Sequence, residues 1–397
     1  MAFRKLSEAD VSGKRVLVRV DFNVPMQDGA VSDDTRLKAA LPTIKALSWK
    51  GAKVILLAHF DRPKGKRVPS MSLKPIVAPL TKLLGRQVAF AEDCAGAEAK
   101  AAVDALKPGD VILMENTRFQ AGEEANDPAL AKAFAELGDI YVNDAFSAAH
   151  RAHASTEGIA HLLPAYAGIA MEAELNALES ALGTPKRPVL GIVGGSKVSS
   201  KIDLLKHLVT KLDRLAIGGG MANTFLFAQG WEVGASYCEK DLAETAREIM
   251  KLAGRNKCEL LLPIDTIVAE KLDARAPAFV RGLGEVDEDE RILDAGPQTI
   301  ARLTRAMELS ETLIWNGPLG VFETPPFDHG TVAAARFAGS LAKSSKLIAV
   351  AGGGDTVAAL HHAGTAEMFT YVSTAGGAFL EWMEGKVLPG VAALEAA

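Results

Sequence analysis

Short apolar runs rich in Val, Ile and Leu recur along this chain, and most of them hand over to a run with helical spacing. In the first half, Arg15 to Asp21, Ala52 to Ala58, Gln87 to Phe90, Asp110 to Met114 and Ile140 to Val142 read as strands. A helix capped by Asp33-Asp34-Thr35 and starting near Arg36, then Leu73 to Leu84, Ala97 to Leu106 and Pro128 to Leu137, read as helices. Such alternation leaves few architectures open, because parallel strands need crossover helices and those helices cover both faces of the sheet. After a proline- and glycine-marked junction (Leu162 to Gly168) and an amphipathic helix (Met171 to Leu182), the alternation resumes. Val189 to Val193, Arg214 to Ile217, Glu259 to Leu262, Thr312 to Trp315 and Lys346 to Val350 read as strands, and Gly282 to Arg291 as an acidic loop. A chain of 397 residues has room for two or three domains of about 150 residues each. The expected fold is α/β: two doubly wound, Rossmann-like parallel-sheet domains facing a cleft and joined by a hinge helix in the 162–188 region.

In sheets of this kind, functional residues come from loops beyond the carboxyl ends of the strands. Asp21, Asn23, His59, Arg62, Arg118 and Arg151 each follow a predicted strand, and Arg36 stands at a helix start. Each arginine alone reads as a solvated surface residue. Four of them at one end of one sheet, beside a histidine, point to a small, strongly anionic substrate, since the guanidinium fork suits phosphate and carboxylate. Asp21 has two open readings: it orients a substrate hydroxyl, or it orients an arginine.

The second half collects glycine instead. The strand ending at Val193 runs into Gly194-Gly195-Ser196-Lys197-Val198-Ser199-Ser200-Lys201. Later strands run into Gly218-Gly219-Gly220, Asn316-Gly317-Pro318 and Gly352-Gly353-Gly354-Asp355-Thr356. Each is singly a tight turn. Together they let backbone approach a ligand from several sides of one crevice, and Lys197 and Lys201 would share a face if their segment is helical. This is not the Walker arrangement, because Ser196 separates Lys197 from Gly195. The joint reading is a nucleotide seat. Asp355 reads as a helix N-cap, as a ligand for Mg²⁺ bridging nucleotide phosphates, or as both.

A net charge of -5 argues against a general nucleic-acid or polybasic membrane binder. The three cysteines, Cys94, Cys238 and Cys258, have no CxxC spacing, so neither a disulfide framework nor a zinc site is expected. The opening residues lack the apolar core of a signal peptide, and no apolar run approaches the roughly 18 residues of a membrane span, so a cytoplasmic protein is expected. No Ser-His-Asp order or HExxH motif supplies a general base. Phosphoryl transfer to or from a carboxylate needs none, because that acceptor is already ionised. Three hypotheses follow from the residues: transfer to a phosphorylated carboxylic acid, another acyl-phosphate kinase on the same plan, and a nucleotide-binding protein without turnover.

The motifs Val20-Asp21-Phe22-Asn23-Val24-Pro25, His59-x-x-Arg62-Pro63, Glu115-Asn116-Thr117-Arg118-Phe119, His150-Arg151-Ala152-His153, Gly194-Gly195-Ser196-Lys197, Trp315-Asn316-Gly317-Pro318, Gly353-Gly354-Asp355-Thr356 and Glu384-Gly385-Lys386-Val387-Leu388-Pro389-Gly390 resemble those of the phosphoglycerate kinase family, in order along the whole chain. The resemblance implies a two-domain glycolytic enzyme that interconverts 1,3-bisphosphoglycerate plus ADP with 3-phosphoglycerate plus ATP, using Mg²⁺. It implies a phosphoglycerate-binding domain at 1–170, completed by a returning C-terminal segment at 384–397, and a nucleotide-binding domain at 171–383. Asp21, Phe22, Asn23, Arg36, His59, Phe60, Asp61, Arg62, Arg118 and Arg151 would bind the phosphoglycerate. Lys201, Asn316, Glu323, Gly353, Gly354, Asp355 and Thr356 would bind the nucleotide, with Asp355 on the metal. Arg36 and Lys197 would neutralise the phosphoryl group in flight, and the enzyme would act as a monomer without nucleic acid or membrane. Two positions depart from the family's pattern. Asp61 stands where glycine is usual, so a carboxylate sits beside an anion site. Ala375 replaces the third glycine of the last cluster, and would be strained if that position needs a positive φ.

Overall fold

The computed structural model describes residues 3–395, so Met1, Ala2, Ala396 and Ala397, the ends of the expected first domain, lie outside the described residues. Its contacts divide into two compact units: described residues up to Leu175 with those from Val387 onward, and Asn176–Lys386.

The first unit is built on a six-stranded parallel sheet. Across it the strands run Val88–Ala91, Val111–Met114, Lys53–Leu57, Arg15–Arg19, Ile140–Asn143 and Ala165–Ala167. The central runs are apolar on both pleat faces because both faces are covered, and Val16, Leu17 and Val18 are all fully buried. Val16, Val18, Val54 and Leu56 pack with Leu37, Ile44 and Leu47 of helix Thr35–Trp49. The 162–168 junction differs from its reading: Ala165–Ala167 is an edge strand in register with Tyr141 to Asn143. Its three residues are too short to show a period, and only long-range pairing makes them a strand. Near the chain's end, Gly390 accepts from Asn143 Nδ2 at 3.2 Å and donates its amide to the Ala149 carbonyl at 2.9 Å. Helix Ile169–Leu178 opens on a buried carboxylate, Asp144, which accepts from the amides of Ala170 and Met171. A five-residue π turn, Glu179–Gly183, follows it where a continuous helix to Leu182 is expected.

The second unit repeats the plan with strands Glu259–Leu261, Arg214–Ile217, Val189–Val193, Thr312–Asn316, Ile348–Gly352 and Tyr371–Ser373, all parallel. It adds a three-stranded antiparallel sheet of Phe279–Gly282, Asp265–Ala269 and Arg291–Ala295. The acidic stretch read as a loop is largely the connection between two of these strands, closed by Arg281 on Glu290 at 2.7 Å. Helices Ala243–Arg255 and His329–Lys343 are further elements that the sequence reading leaves unassigned.

Candidate functional site

At the carboxyl end of the first sheet lies a recess of about 170 Å³ lined by Asn23, His59, Asp61, Arg62, Arg118, Ser147, Ala148, His150, Arg151 and His153. Three guanidiniums and three imidazoles thus face one carboxylate. Strand ends deliver most of them: His59 and Arg118 follow Lys53–Leu57 and Val111–Met114, and the 147–153 segment follows Ile140–Asn143. Arg62 and Arg151 are exposed, while Arg118 is buried, its Nη1 donating to the Asp61 carbonyl at 2.9 Å. Asn116 fixes this turn, donating from Nδ2 to the Phe60 carbonyl at 2.7 Å and accepting the Arg118 amide at 3.0 Å.

Beside the recess, Arg36 Nη1 donates to the Asn23 carbonyl at 2.8 Å and pairs with Asp21 at 3.1 Å. Asp21 also accepts from the Asn23 amide at 3.1 Å and the Ser147 hydroxyl at 2.5 Å. In this structure the second reading of Asp21 is therefore occupied: it orients an arginine. Asn23 Oδ1 accepts the Asp61 amide at 3.0 Å, with Asp61 at φ 53°. The conformation explains why glycine suits that position, and aspartate is among the residues that tolerate it. Phe22 and Phe60 do not line the recess: Phe22 is wholly inside the core, and Phe60 packs against it.

Arg19 is a residue the sequence reading passes over. It is fully buried, donating from Nε to Ser155 Oγ at 2.9 Å, from Nη1 to the Val20 carbonyl at 2.6 Å, and from Nη2 to His59 Nδ1 at 2.8 Å. Behind it the buried Glu123 accepts from the Ser155 amide and hydroxyl. A guanidinium can only donate, so His59 Nδ1 accepts and the ring carries its proton on Nε2. Burial, with Arg19 and Arg118 nearby, holds His59 well below its ordinary pKa, and the same causes lower His153 to about 4. His59 is thus a neutral hydrogen-bond donor, and the arginines carry the charge. The signal for Arg19 is a charged residue inside a strand whose neighbours are all apolar.

The second unit gathers its glycine turns at the carboxyl end of its own sheet. A recess of about 410 Å³ has Gly195, Ser196, Gly219, Gly220, Glu323 and Asp355 among its lining residues. The turns touch backbone to backbone. A Cβ at Gly194 would lie 1.8 Å from the Pro318 carbonyl oxygen, and one at Gly219, where φ is +67°, 2.6 Å from that of Gly195. Behind this surface Lys201 Nζ donates to the Gly194 carbonyl and to Asn316 Oδ1, both at 2.6 Å. Asn316 Nδ2 reaches the Gly352 carbonyl at 2.8 Å, and Thr356 Oγ1 takes the Gly317 amide at 2.7 Å. Lys201, Asn316 and Thr356 therefore brace the turns, while Asp355 and Glu323 face the opening. Burial lowers the Lys201 pKa to about 8, with Asp355 opposing.

The two lysines do not share a helical face. The helix begins only at Ile202, and 195–201 is an irregular loop in which Lys197 is exposed. Glu239, another residue not singled out from sequence, pins this loop by accepting the Ser199 hydroxyl at 2.6 Å and its amide at 3.0 Å. Gly353 and Gly354 form the start of helix Gly354–His362, whose first turn carries Asp355. Among the described residues no group of three or more His, Cys, Asp or Glu side chains could cage a metal. A lone exposed carboxylate suits an ion that keeps its waters and shares phosphate oxygens.

Residues 6–386 match the family model described as phosphoglycerate kinase. The chain is 68% identical over 395 residues to a phosphoglycerate kinase of Caulobacter vibrioides, and 61% identical over 395 residues to one of Brucella melitensis, with 100% of each chain covered. The structure is similar to that of phosphoglycerate kinase from Coxiella burnetii, with a TM-score of 0.93 and 43% identity over 99% of this chain and 98% of that one. It is also similar to the enzyme from Pyrococcus horikoshii OT3, with a TM-score of 0.81 and 30% identity over 98% of each chain.

Proposed function

The chain belongs to the phosphoglycerate kinase family, a phosphotransferase family of glycolysis, and from that premise we propose how its residues divide the reaction. The family's enzymes exchange a phosphoryl group between 1,3-bisphosphoglycerate with ADP and 3-phosphoglycerate with ATP. The observation that carries the division is the first recess, where three guanidiniums and three imidazoles meet one carboxylate. It suits a small phosphorylated carboxylate. In this reading Arg62, Arg118 and Arg151 neutralise the phosphoglycerate, and His59 Nε2–H and Asn23 hydrogen-bond to it. Asp21 aims Arg36, and Phe22, Phe60 and the Asp61 backbone set the turns.

The glycine turns take the nucleotide phosphates on backbone amides, with helix starts at Gly220 and Gly354 adding to the positive field. Lys201 lends its charge to the phosphate end from behind the Gly194 turn, Asp355 faces that end, Asn316, Gly353, Gly354 and Thr356 hold the turn, and Glu323 reaches the ribose. Family members use Mg²⁺ with ATP and ADP, and Asp355 would hold it here. Bound there, the ion would draw charge from the phosphate oxygens.

In the direction of ATP use, a carboxylate oxygen of 3-phosphoglycerate bonds to the γ-phosphorus as the bridging oxygen leaves with ADP. No proton moves, so no general base is required. Arg36 and Lys197 neutralise the phosphoryl oxygens during transfer, and the reacting atoms must come within about 3–3.5 Å in line. The reading carries with it a monomeric, cytoplasmic enzyme of small molecules, without nucleic acid or membrane partners. No helix among the described residues is long and apolar enough to cross a membrane.

The test is Mg-ATP turnover with 3-phosphoglycerate, coupled to reduction of the product, against acetate, aspartate and 2-phosphoglycerate. The phosphoglycerate should win clearly; nucleotide binding without turnover would sink the reading. Arg36→Ala and Lys197→Ala should each lower kcat on the order of 10²–10³-fold. A kcat within about twofold of the parent would remove that residue from the transfer step.

A further inference from the structure

The second unit holds another recess, of about 510 Å³, on a different side of its antiparallel sheet. Ile267, Phe279 and Val280 of that sheet, Ile300 of helix Pro297–Glu308 and Ala333 of helix His329–Lys343 form much of its wall. Ala295 is the one lining residue it shares with the glycine-turn recess, so the walls of the two are otherwise distinct. Nothing in phosphoryl transfer uses it.

Three features say what would fill it. Its volume falls in the range of small-molecule sites, about 300–1,000 Å³, and its lining is predominantly apolar, as theirs is. Phe279 and Val280 keep 49% and 53% of their surface exposed, so an apolar ligand has area to cover. The single titratable side chain in the lining is His329, exposed in the first turn of a 15-residue helix. An imidazole is neutral or cationic, never anionic. The Gly330 amide beside it is already taken by the buried Asp294 at 2.7 Å, so the polar end of the recess offers an anion the His329 imidazole, with no carboxylate side chain in the lining.

We infer that this recess binds a small amphiphilic anion, an aliphatic or aromatic body seated on Phe279, Val280, Ile300 and Ala333 with its carboxylate or sulfonate at His329. The test uses the full chain and the fluorescent sulfonate 8-anilinonaphthalene-1-sulfonate. Mg-ADP with 3-phosphoglycerate, a pair that cannot react, is held saturating so that both substrate recesses are filled. The expected result is one site per chain, with the probe displaced by decanoate but not by decyltrimethylammonium. Ala333→Phe, which fills the recess, should weaken probe binding about tenfold or more while leaving turnover unchanged. Val280→Gln, at a half-exposed position that does not threaten the fold, should weaken it in the same direction, and His329→Asp should weaken decanoate.

Release of the probe by the substrates, undiminished binding in both Ala333→Phe and Val280→Gln, or equal displacement by the cation would each overturn the inference. A concentration-dependent dimer lost in Val280→Gln would give this face to a second copy of the chain, and would overturn it too.

Discussion

The two recesses at the carboxyl ends of the two parallel sheets are made of different material. In the first, side chains form the surface: guanidiniums line it, and two in and beside it are aimed by carbonyls or a carboxylate, Arg118 by Asp61 and Arg36 by Asn23 and Asp21. In the second, backbone forms the surface, and side chains such as Lys201, Asn316 and Thr356 stand behind it as braces. A charge-built site depends on ionisation and on partners for buried charges. A backbone-built site depends on the absence of Cβ atoms. The two should therefore fail differently.

The largest effects should come from removing the support of each. Arg19→Leu leaves Glu123 fully buried without the guanidinium behind Ser155, and unpairing a buried charge costs about 3–5 kcal/mol. Gly194→Ala forces a Cβ to 1.8 Å from the Pro318 carbonyl oxygen, a backbone contact that no rotamer relieves, with an expected loss also on the order of 3–5 kcal/mol. Urea midpoints at two pH values separate the causes. The Arg19→Leu deficit should shrink as pH falls, because His59, held low by burial and by Arg19, takes up a proton more readily once Arg19 is gone, whereas the Gly194→Ala deficit should not change. Parallel pH behaviour in the two variants would break the comparison.

The same contrast explains what the sequence can tell a reader. Arg62, Arg118 and Arg151 are legible because their residue type announces a charge and parallel topology brings strand ends together. Glycine turns are legible as turns, but which side chain stands in front of them is not. Lys197 and Lys201 look equivalent on paper, and only the late start of the helix at Ile202 turns one outward and the other in behind Gly194. Arg19 stays hidden because Arg15, half-buried against Asp139 at the other end of the same strand, sends the same signal. The small antiparallel sheet is hidden because its pairing is long-range: Asp265 to Val268 meet Phe279 to Gly282 across a turn-rich segment with no strict period.

A smaller effect concerns protons. The Lys201 ammonium has a folded pKa of about 8 against an ordinary 10.5, so the unfolded chain binds more protons between those values. Its contribution to stability is therefore present above about 10.5 and lost as pH falls through about 8. Lys201→Met should abolish the rise in stability over that window. An anionic nucleotide restores the charged form, so nucleotide binding near pH 9 should take up a fraction of one proton, read by calorimetry in two buffers of different ionisation enthalpy. 3-Phosphoglycerate binding at the same pH should take up none, because guanidiniums stay charged there. Equal uptake by both ligands would mean that the first recess is not built on arginine charge.

The smallest effect tests the two departures from the family's glycine pattern, one in each unit. Asp61 sits at φ 53°, a left-handed conformation that costs an L-residue roughly 1–2 kcal/mol. In the last cluster the left-handed position falls one residue later, at Gly376 with φ 50°, so Ala375 is not strained. Asp61→Gly should therefore stabilise the protein by about 0.5–1 kcal/mol, while Ala375→Gly should destabilise it by a similar amount through the entropy of the unfolded chain. The contacts of Asp61 with Asn23 Oδ1 and Arg118 Nη1 are made by its backbone, and glycine keeps both. The phosphoglycerate KM of Asp61→Gly should accordingly fall or stay the same, since a carboxylate is removed from a site built for anions. A marked rise would mean that the Asp61 side chain aims one of the neighbouring guanidiniums, as Asp21 aims Arg36. The first recess would then depend on paired charge even where its own backbone suffices.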